Sequence, residues 1–269
     1  MRNVSLAALT ILDAGPIGQI EAAAQAGWRS VGLRLNPLLP TDMAVVGHPG
    51  REAEVSRLMA RHQMALLEIG VFPIKAGMDV AGLEPALAFA QKFSARFVVC
   101  PVEDFAADRR VETFARLADL CARHSLDALV EFNPYSACRG LGEALAIVAA
   151  ARRPNAGLVI DALHLSRSGG SPRDLAGVDP ALLKLAHFCD APAFEPGAKS
   201  ADEQRRESRT ARLLPGEGAL PLRDLLDALP AECPISVEAP SARLAGLTAT
   251  ERARETLIAT ERFLGGLKS

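Results

Sequence analysis

Residues 127–170 read DALVEFNPYSACRGLGEALAIVAAARRPNAGLVIDALHLSRSGG. Two short apolar runs, DALVEF (127–132) and GLVIDAL (157–163), enclose LGEALAIVAAARR (141–153), a stretch of Ala, Leu and Glu with helical spacing. The runs are strand-length and apolar on both faces, as buried parallel strands are. The stretch is therefore one strand–helix–strand unit, and the pattern continues on both sides of it. Upstream lie VSLAALTI (4–11), SVGLRL (30–35), ALLEIGVF (65–72) and RFVVCPV (96–102); downstream lie LLKLAHFC (182–189) and CPISVEA (233–239). Helical stretches such as IGQIEAAAQAG (17–27), REAEVSRLMARH (51–62), VETFARLADLCARH (111–124) and TERARETLIATERFL (250–264) separate them. Eight strands alternating with helices predict an α/β fold with a parallel sheet, and eight is the number that closes a (β/α)8 TIM barrel.

The chain has 269 residues, which suits one such barrel of about 250 residues and predicts a single domain over 1–269. The alternative, an open doubly wound sheet, lacks its main signal: DAGPIGQ (13–19) follows the first run where GxGxxG would stand. The net charge is −2 and aromatic residues are 4% of the chain. This composition gives no footprint for nucleic acid or for an anionic membrane surface. No run approaches the length of a membrane span. The N-terminal apolar run stops at Asp13 and reads as a first buried strand, not as a signal peptide. Five cysteines without a CxxC pair argue against a disulfide framework or a thiolate zinc site and point to a reducing cytoplasm. The sequence leaves homo-oligomer formation open. One long irregular stretch, 190–217, is polar and charged, with a helical-looking run DEQRRES (202–208); it is expected to cap the barrel mouth and to bring Arg209 or Arg212 toward a substrate.

In a barrel of this kind the active site lies where the strands end. Glu131 ends the fifth run, Asp161 the sixth and Glu238 the eighth, while the seventh carries His187. Glu68 lies in the third run, and His164 follows Asp161 by three residues. Three carboxylates converging on one axis repel one another unless a cation neutralises them. Three oxygen donors and one imidazole suit one divalent metal ion, Mn2+, Mg2+, Co2+ or Zn2+. Any one of these residues alone reads as an ordinary salt-bridged or hydrogen-bonded core residue; the signal is the same placement on four successive strands.

These residues carry a family resemblance. VEFNP, IDALHLSRSGG, LAHFCDAP, RLLPGEGALPL and PISVEAPS, with AAAQAGWRSVGLRL and RLMARHQMALLEIGVF more loosely, resemble the xylose isomerase-like TIM barrels. That superfamily includes sugar and sugar phosphate isomerases and epimerases, keto-inositol isomerases and dehydratases, and AP endonuclease family 2. The resemblance implies metal ligands at Glu131, Asp161, His187 and Glu238, a substrate-binding histidine at His164, and an acid/base pair at Glu131 and Glu238. The chain departs from the ketose epimerases at Ala193, six residues after the metal histidine, where those enzymes keep an arginine. Arg212 and Arg209 are the candidates to replace its contact with a sugar hydroxyl.

The expected chemistry is proton abstraction next to a carbonyl of a small sugar-like substrate, through a metal-stabilised enediolate. Isomerisation, epimerisation and dehydration share that step. Strands five and eight are taken to face each other across the barrel, so that Glu131 and Glu238 bracket the reacting carbons. A nuclease site needs more histidines than the five present, and a catalytically silent barrel would bury its carboxylates without use. Among lesser features, PGEG (215–218) reads either as a phosphate-cradling turn or, preferably, as a plain turn. Trp28 is expected to pack at the barrel bottom, and Phe72 and Tyr135 to wall the substrate. Cys189 reads as core, and Arg34 and Glu68 as substrate contacts or in-barrel salt bridges.

Overall fold

The computed structural model describes residues 2–38, 42–195 and 197–266, so the ends of the expected 1–269 domain lie outside the described residues. Eight parallel strands close into a barrel in sequence order: β1 (Val4–Leu6), β2 (Ser30–Leu33), β3 (Ala65–Gly70), β4 (Phe97–Pro101), β5 (Asp127–Glu131), β6 (Ala156–Asp161), β7 (Leu183–Phe188) and β8 (Ile235–Val237). The ring closes through β1 and β8, with Val4 opposite Ile235 and Leu6 opposite Val237. This is the expected (β/α)8 TIM barrel. One expectation fails in it: in a closed ring of this order β8 lies across from β4, so β5 and β8 stand three places apart and do not face each other.

The helices between the strands are α1 (Gly15–Ala26), α2 (Pro49–His62), α3 (Glu84–Gln91), α4 (Ala107–Arg123), α5 (Leu141–Ala151) and α6 (Ala162–Arg167). After β7 come α7 (Ala201–Thr210) and α8 (Leu222–Ala228), and α9 (Ala249–Gly265) follows β8. Their apolar stripes pack on the outward faces of the strands and form one continuous layer around the barrel. Trp28 lies in that layer, 2% exposed, and donates its indole N–H to the Ala253 carbonyl of α9 at 2.9 Å.

A second, smaller cluster fills the barrel itself: Leu67, Phe97, Val99, Leu129, Val159 and Leu185. Side chains of a strand alternate between faces with period two. Two residues beyond Leu129, Val159 and Leu185 therefore come Glu131, Asp161 and His187, on the same inward face and one layer higher. On β8, Ser236 and Glu238 follow the same spacing. The apolar layer is the floor on which the polar layer stands.

The stretch 190–217 holds α7 rather than a structureless loop. Ser200 accepts from the Glu203 N–H at 3.3 Å while the Glu203 carboxylate takes the Ser200 N–H at 2.7 Å, a capping box that starts the helix. The helix is pinned across the barrel mouth. Glu207 pairs with Arg167 at 2.7 Å and with Lys199 at 2.7 Å, and Ser208 hydrogen-bonds the Tyr135 hydroxyl at 2.6 Å. Its exit is held by an isolated bridge between Ala211 and Ser241 and by the Arg212 N–H donating to the Pro240 carbonyl at 3.1 Å.

The PGEG segment is a turn beside an anion from the chain, the Asp190 carboxylate, which the Gly216 amide and two amides outside the segment hold. Asp190 accepts from the Gly216 N–H at 3.1 Å, the Leu220 N–H at 3.0 Å and the Ala191 N–H at 2.8 Å. Gly218 is required there, because a Cβ would collide with the Asp190 carboxylate and the Ala191 backbone.

Candidate metal centre

Glu131, Asp161, His187 and Glu238 meet at the C-terminal end of the barrel, each offering a ligand atom within 4.8 Å of the others. All four are buried, at 7%, 1%, 2% and 8% exposure. His187 faces the group with Nδ1, which lies 3.0 Å from a Glu131 oxygen and 3.6 Å from a Glu238 oxygen. Its other nitrogen, Nε2, lies 3.0 Å from Glu68. A carboxylate on one imidazole nitrogen turns the lone pair of the other toward the centre, the arrangement found behind metal-bound histidines. The donor set, three carboxylates and one oriented imidazole, all buried, fits a divalent cation.

Glu68 is thus turned to protein partners. Its second oxygen accepts from Ser236 at 2.5 Å. It reaches this place because Gly32 on the neighbouring strand has no side chain: a Cβ there would stand 2.5 Å from the Glu68 carboxylate. Arg34 likewise forms an ion pair, with Asp42 at 3.3 Å. Ser236 escaped sequence reasoning because a lone serine in an apolar run carries no signal until its strand is placed in the ring.

Arg212, expected at the substrate, sits among the four cluster residues themselves. It is 1% exposed, with Nη1 2.6 Å from Asp161 and Nη2 2.9 Å from Glu238. Nη1 also reaches the Cys189 sulfur at 3.3 Å. Cys189 is a core thiol, pushed up to about 12 by burial. Arg209 does not join the cluster; it stands at a cavity in the mouth. His164 is 4% exposed and its Nδ1 has no hydrogen-bond partner. Its ring meets Tyr135 edge to face, with centroids 5.7 Å apart. Asp161 caps α6 by accepting the His164 N–H at 2.9 Å, which fixes the spacing between them. Phe72, by contrast, packs in the outer apolar layer.

The charges act on one another strongly. Burial works against ionising His187, but Glu238, Glu68 and Glu131 around it outweigh burial and hold its pKa well above the usual value. Burial also opposes the Asp161 charge, and Arg212, His164 and His187 overcome it and leave that carboxyl below the usual range. Glu238 goes the other way: burial dominates and lifts it to about 7 against the pull of His187 and Arg212. Burial lowers His164, so its ring is neutral at neutral pH.

A family model described as xylose isomerase-like TIM barrel matches residues 20–261. The chain belongs to the xylose isomerase-like TIM barrel family. Within it, an inosose isomerase of Halalkalibacterium halodurans is 27% identical over 121 residues, which is 44% of this chain and 40% of that protein. The chain thus matches less than half the length of that curated relative. A solved structure described as IolI protein with a binding zinc atom superposes with a TM-score of 0.79 at 19% identity, covering 98% of both chains. The D-allulose 3-epimerase from Methylomonas sp. in complex with D-allulose superposes with a TM-score of 0.66 at 18% identity, covering 97% of this chain and 96% of that one. These superpositions establish the family's fold in this chain. No helix among the described residues is long and apolar enough to cross a membrane.

Proposed function

We propose that this barrel, taken as one domain over 1–269, is a divalent-metal-dependent isomerase or epimerase of a sugar-like substrate. The observation that carries the reading is the convergence of Glu131, Asp161, His187 and Glu238 within 4.8 Å in a buried layer. The names of the inosose isomerase, the zinc-binding IolI protein and the D-allulose epimerase support it.

The four residues would hold the ion, which, when bound, supplies a Lewis acid for the oxygens of a carbonyl and its neighbouring hydroxyl. Glu68 holds His187 in the tautomer whose Nδ1 points at the centre. Glu238 is the base that takes the proton from the carbon beside the carbonyl, and Glu131 returns a proton to the resulting enediolate. Both reach the centre from the same arc of the barrel, so the substrate carbons lie above them rather than between opposite walls. The neutral His164 offers its unpartnered Nδ1 to a substrate hydroxyl, and Tyr135 packs behind that ring. Arg212 balances the carboxylates and keeps Asp161 ionised. Burial excludes water from the carbon that loses its proton.

Incubation with Mn2+ and a panel of ketoses, aldoses and keto-inositols in deuterated water tests this. Deuterium must appear next to the carbonyl of a true substrate. Glu238→Gln should retain the fold and lower the exchange rate by at least about 10²-fold, as loss of a positioned base does. No exchange on any panel member, together with metal-independent binding, turns the reading toward a binding barrel.

A further inference from the structure

A cavity of about 660 Å³ opens at the C-terminal end of the barrel, and none of the four cluster residues lines it. It lies over β1, β2 and β8, next to the cluster: Pro240 and Ser241 in its wall follow Glu238 by two and three residues. Three arginines from three separate parts of the chain converge on it: Arg34 after β2, Arg209 at the end of α7 and Arg252 in α9. Two carboxylates accompany them. Asp42 lies 3.3 Å from Arg34, and Asp13 lies 2.7 Å from Arg252. Each of these bonds uses a single guanidinium nitrogen, which leaves other N–H donors on both arginines. Arg209 is exposed and forms no ion pair among the described residues. Three cations against two anions leave an excess positive charge. Gly15 and Pro16, the first residues of α1, and Ala14 before them line the same cavity, and no side chain caps that helix, so the positive end of its dipole lies at the same space.

We propose that this cavity is an oxyanion subsite, and that the substrate is an anionic sugar derivative, a sugar acid or a sugar phosphate. Its carboxylate or phosphate is held by Arg34, Arg209 and Arg252 while its carbonyl end lies at the metal cluster. This rests on the reading of the cluster as the reaction centre. The two carboxylates serve as fixed partners that aim Arg34 and Arg252, and Arg209 supplies the uncompensated charge. The volume is that of a small-molecule site, enough for an oxyanion and several carbons.

Calorimetric titration of the full-length Mn2+-loaded protein with D-fructose, D-fructuronate and D-fructose 6-phosphate tests the subsite. At least one charged member should bind about tenfold or more tighter than the neutral one, the effect of one charge-assisted contact to a guanidinium group. Arg209→Ala and Arg34→Gln should each remove most of that advantage and leave D-fructose affinity unchanged. The member that loses more identifies carboxylate or phosphate as the native group. Inorganic phosphate should raise the melting temperature of the wild type, and of Asp161→Asn, but not of Arg209→Ala. Equal affinity for all three ligands with no effect of inorganic phosphate overturns the proposal, as does an equal loss for all three in the arginine variants. The reading of the cluster fails separately, if Asp161→Asn still binds Mn2+ like the wild type.

Discussion

Over β5, β6, β7 and β8 the barrel mouth is closed: its carboxylates and imidazole are almost fully buried and hydrogen-bonded to one another. Over β1 and β2 the mouth opens into a cavity with guanidinium groups in its wall. The two sides differ because charge is handled differently on each. On the closed side, carboxylates outnumber the imidazole, and one fully buried arginine, Arg212, offsets them. On the open side Arg34 and Arg252 each stand with a carboxylate, and Arg209 is exposed and forms no ion pair among the described residues. Arg209 and Arg212 are three residues apart, and the end of α7 sends one to each side. Their place in the long stretch after β7, beyond Ala193, brought both arginines forward as substrate contacts; the turn after α7 sends them to different places.

The largest expected effect breaks the closed side. Arg212→Ala leaves Asp161 and Glu238 buried without their partner. Losing one member of a buried ion pair costs about 3–5 kcal/mol, to be read from denaturant unfolding of the metal-free protein. Saturating Mn2+ should recover much of that loss. A loss that Mn2+ does not reduce would mean that Arg212 serves packing more than charge balance.

The next effect sharpens the division of labour within the cluster. Glu68→Gln keeps the shape but no longer offers His187 a carboxylate. Mn2+ affinity should fall about 10- to 100-fold, as for other partners that orient metal-binding histidines, with the circular dichroism unchanged. An unchanged affinity would place the orientation of His187 in the strand alone.

The smallest effect concerns α7, which joins the two sides. Burial pushes Glu207 up, but Arg167 and Lys199 outweigh it and hold its carboxyl below the usual range. A folded-state pKa below the unfolded value of about 4.3 gives stabilisation that is full at neutral pH and lost as pH falls through the folded value. Glu207→Gln should therefore speed amide exchange in α7 at pH 7. The difference from wild type should vanish below the folded pKa of Glu207. A difference that persists in acid would mean that the capping box and Tyr135, not the ion pair, hold the helix.

The periodicity of the chain determined the barrel. Apolar runs at regular intervals, with helical stretches between them, bury both faces in a parallel sheet covered by helices, and eight of them close it into a ring. The four cluster residues were legible for the same reason: polar residues at the ends of apolar strands must share one end of the ring. Even α7 left a trace, in the helical-looking charged run DEQRRES (202–208). What depended on distances around the ring was not legible. β5 and β8, taken to oppose each other, stand three places apart in the closed ring. Glu68 and Ser236, 168 residues apart, meet because Gly32 leaves room in the neighbouring strand. Asp190 took the Gly216 amide of the PGEG turn, which a sequence reading could equally offer to a phosphate, and the Leu220 amide just beyond it. Local pattern fixes which face and which end a side chain occupies, because strand period and helix period are properties of the backbone. Which groups then touch is decided by closure of the barrel, where packing and the cost of leaving a buried charge unpaired select one partner among several.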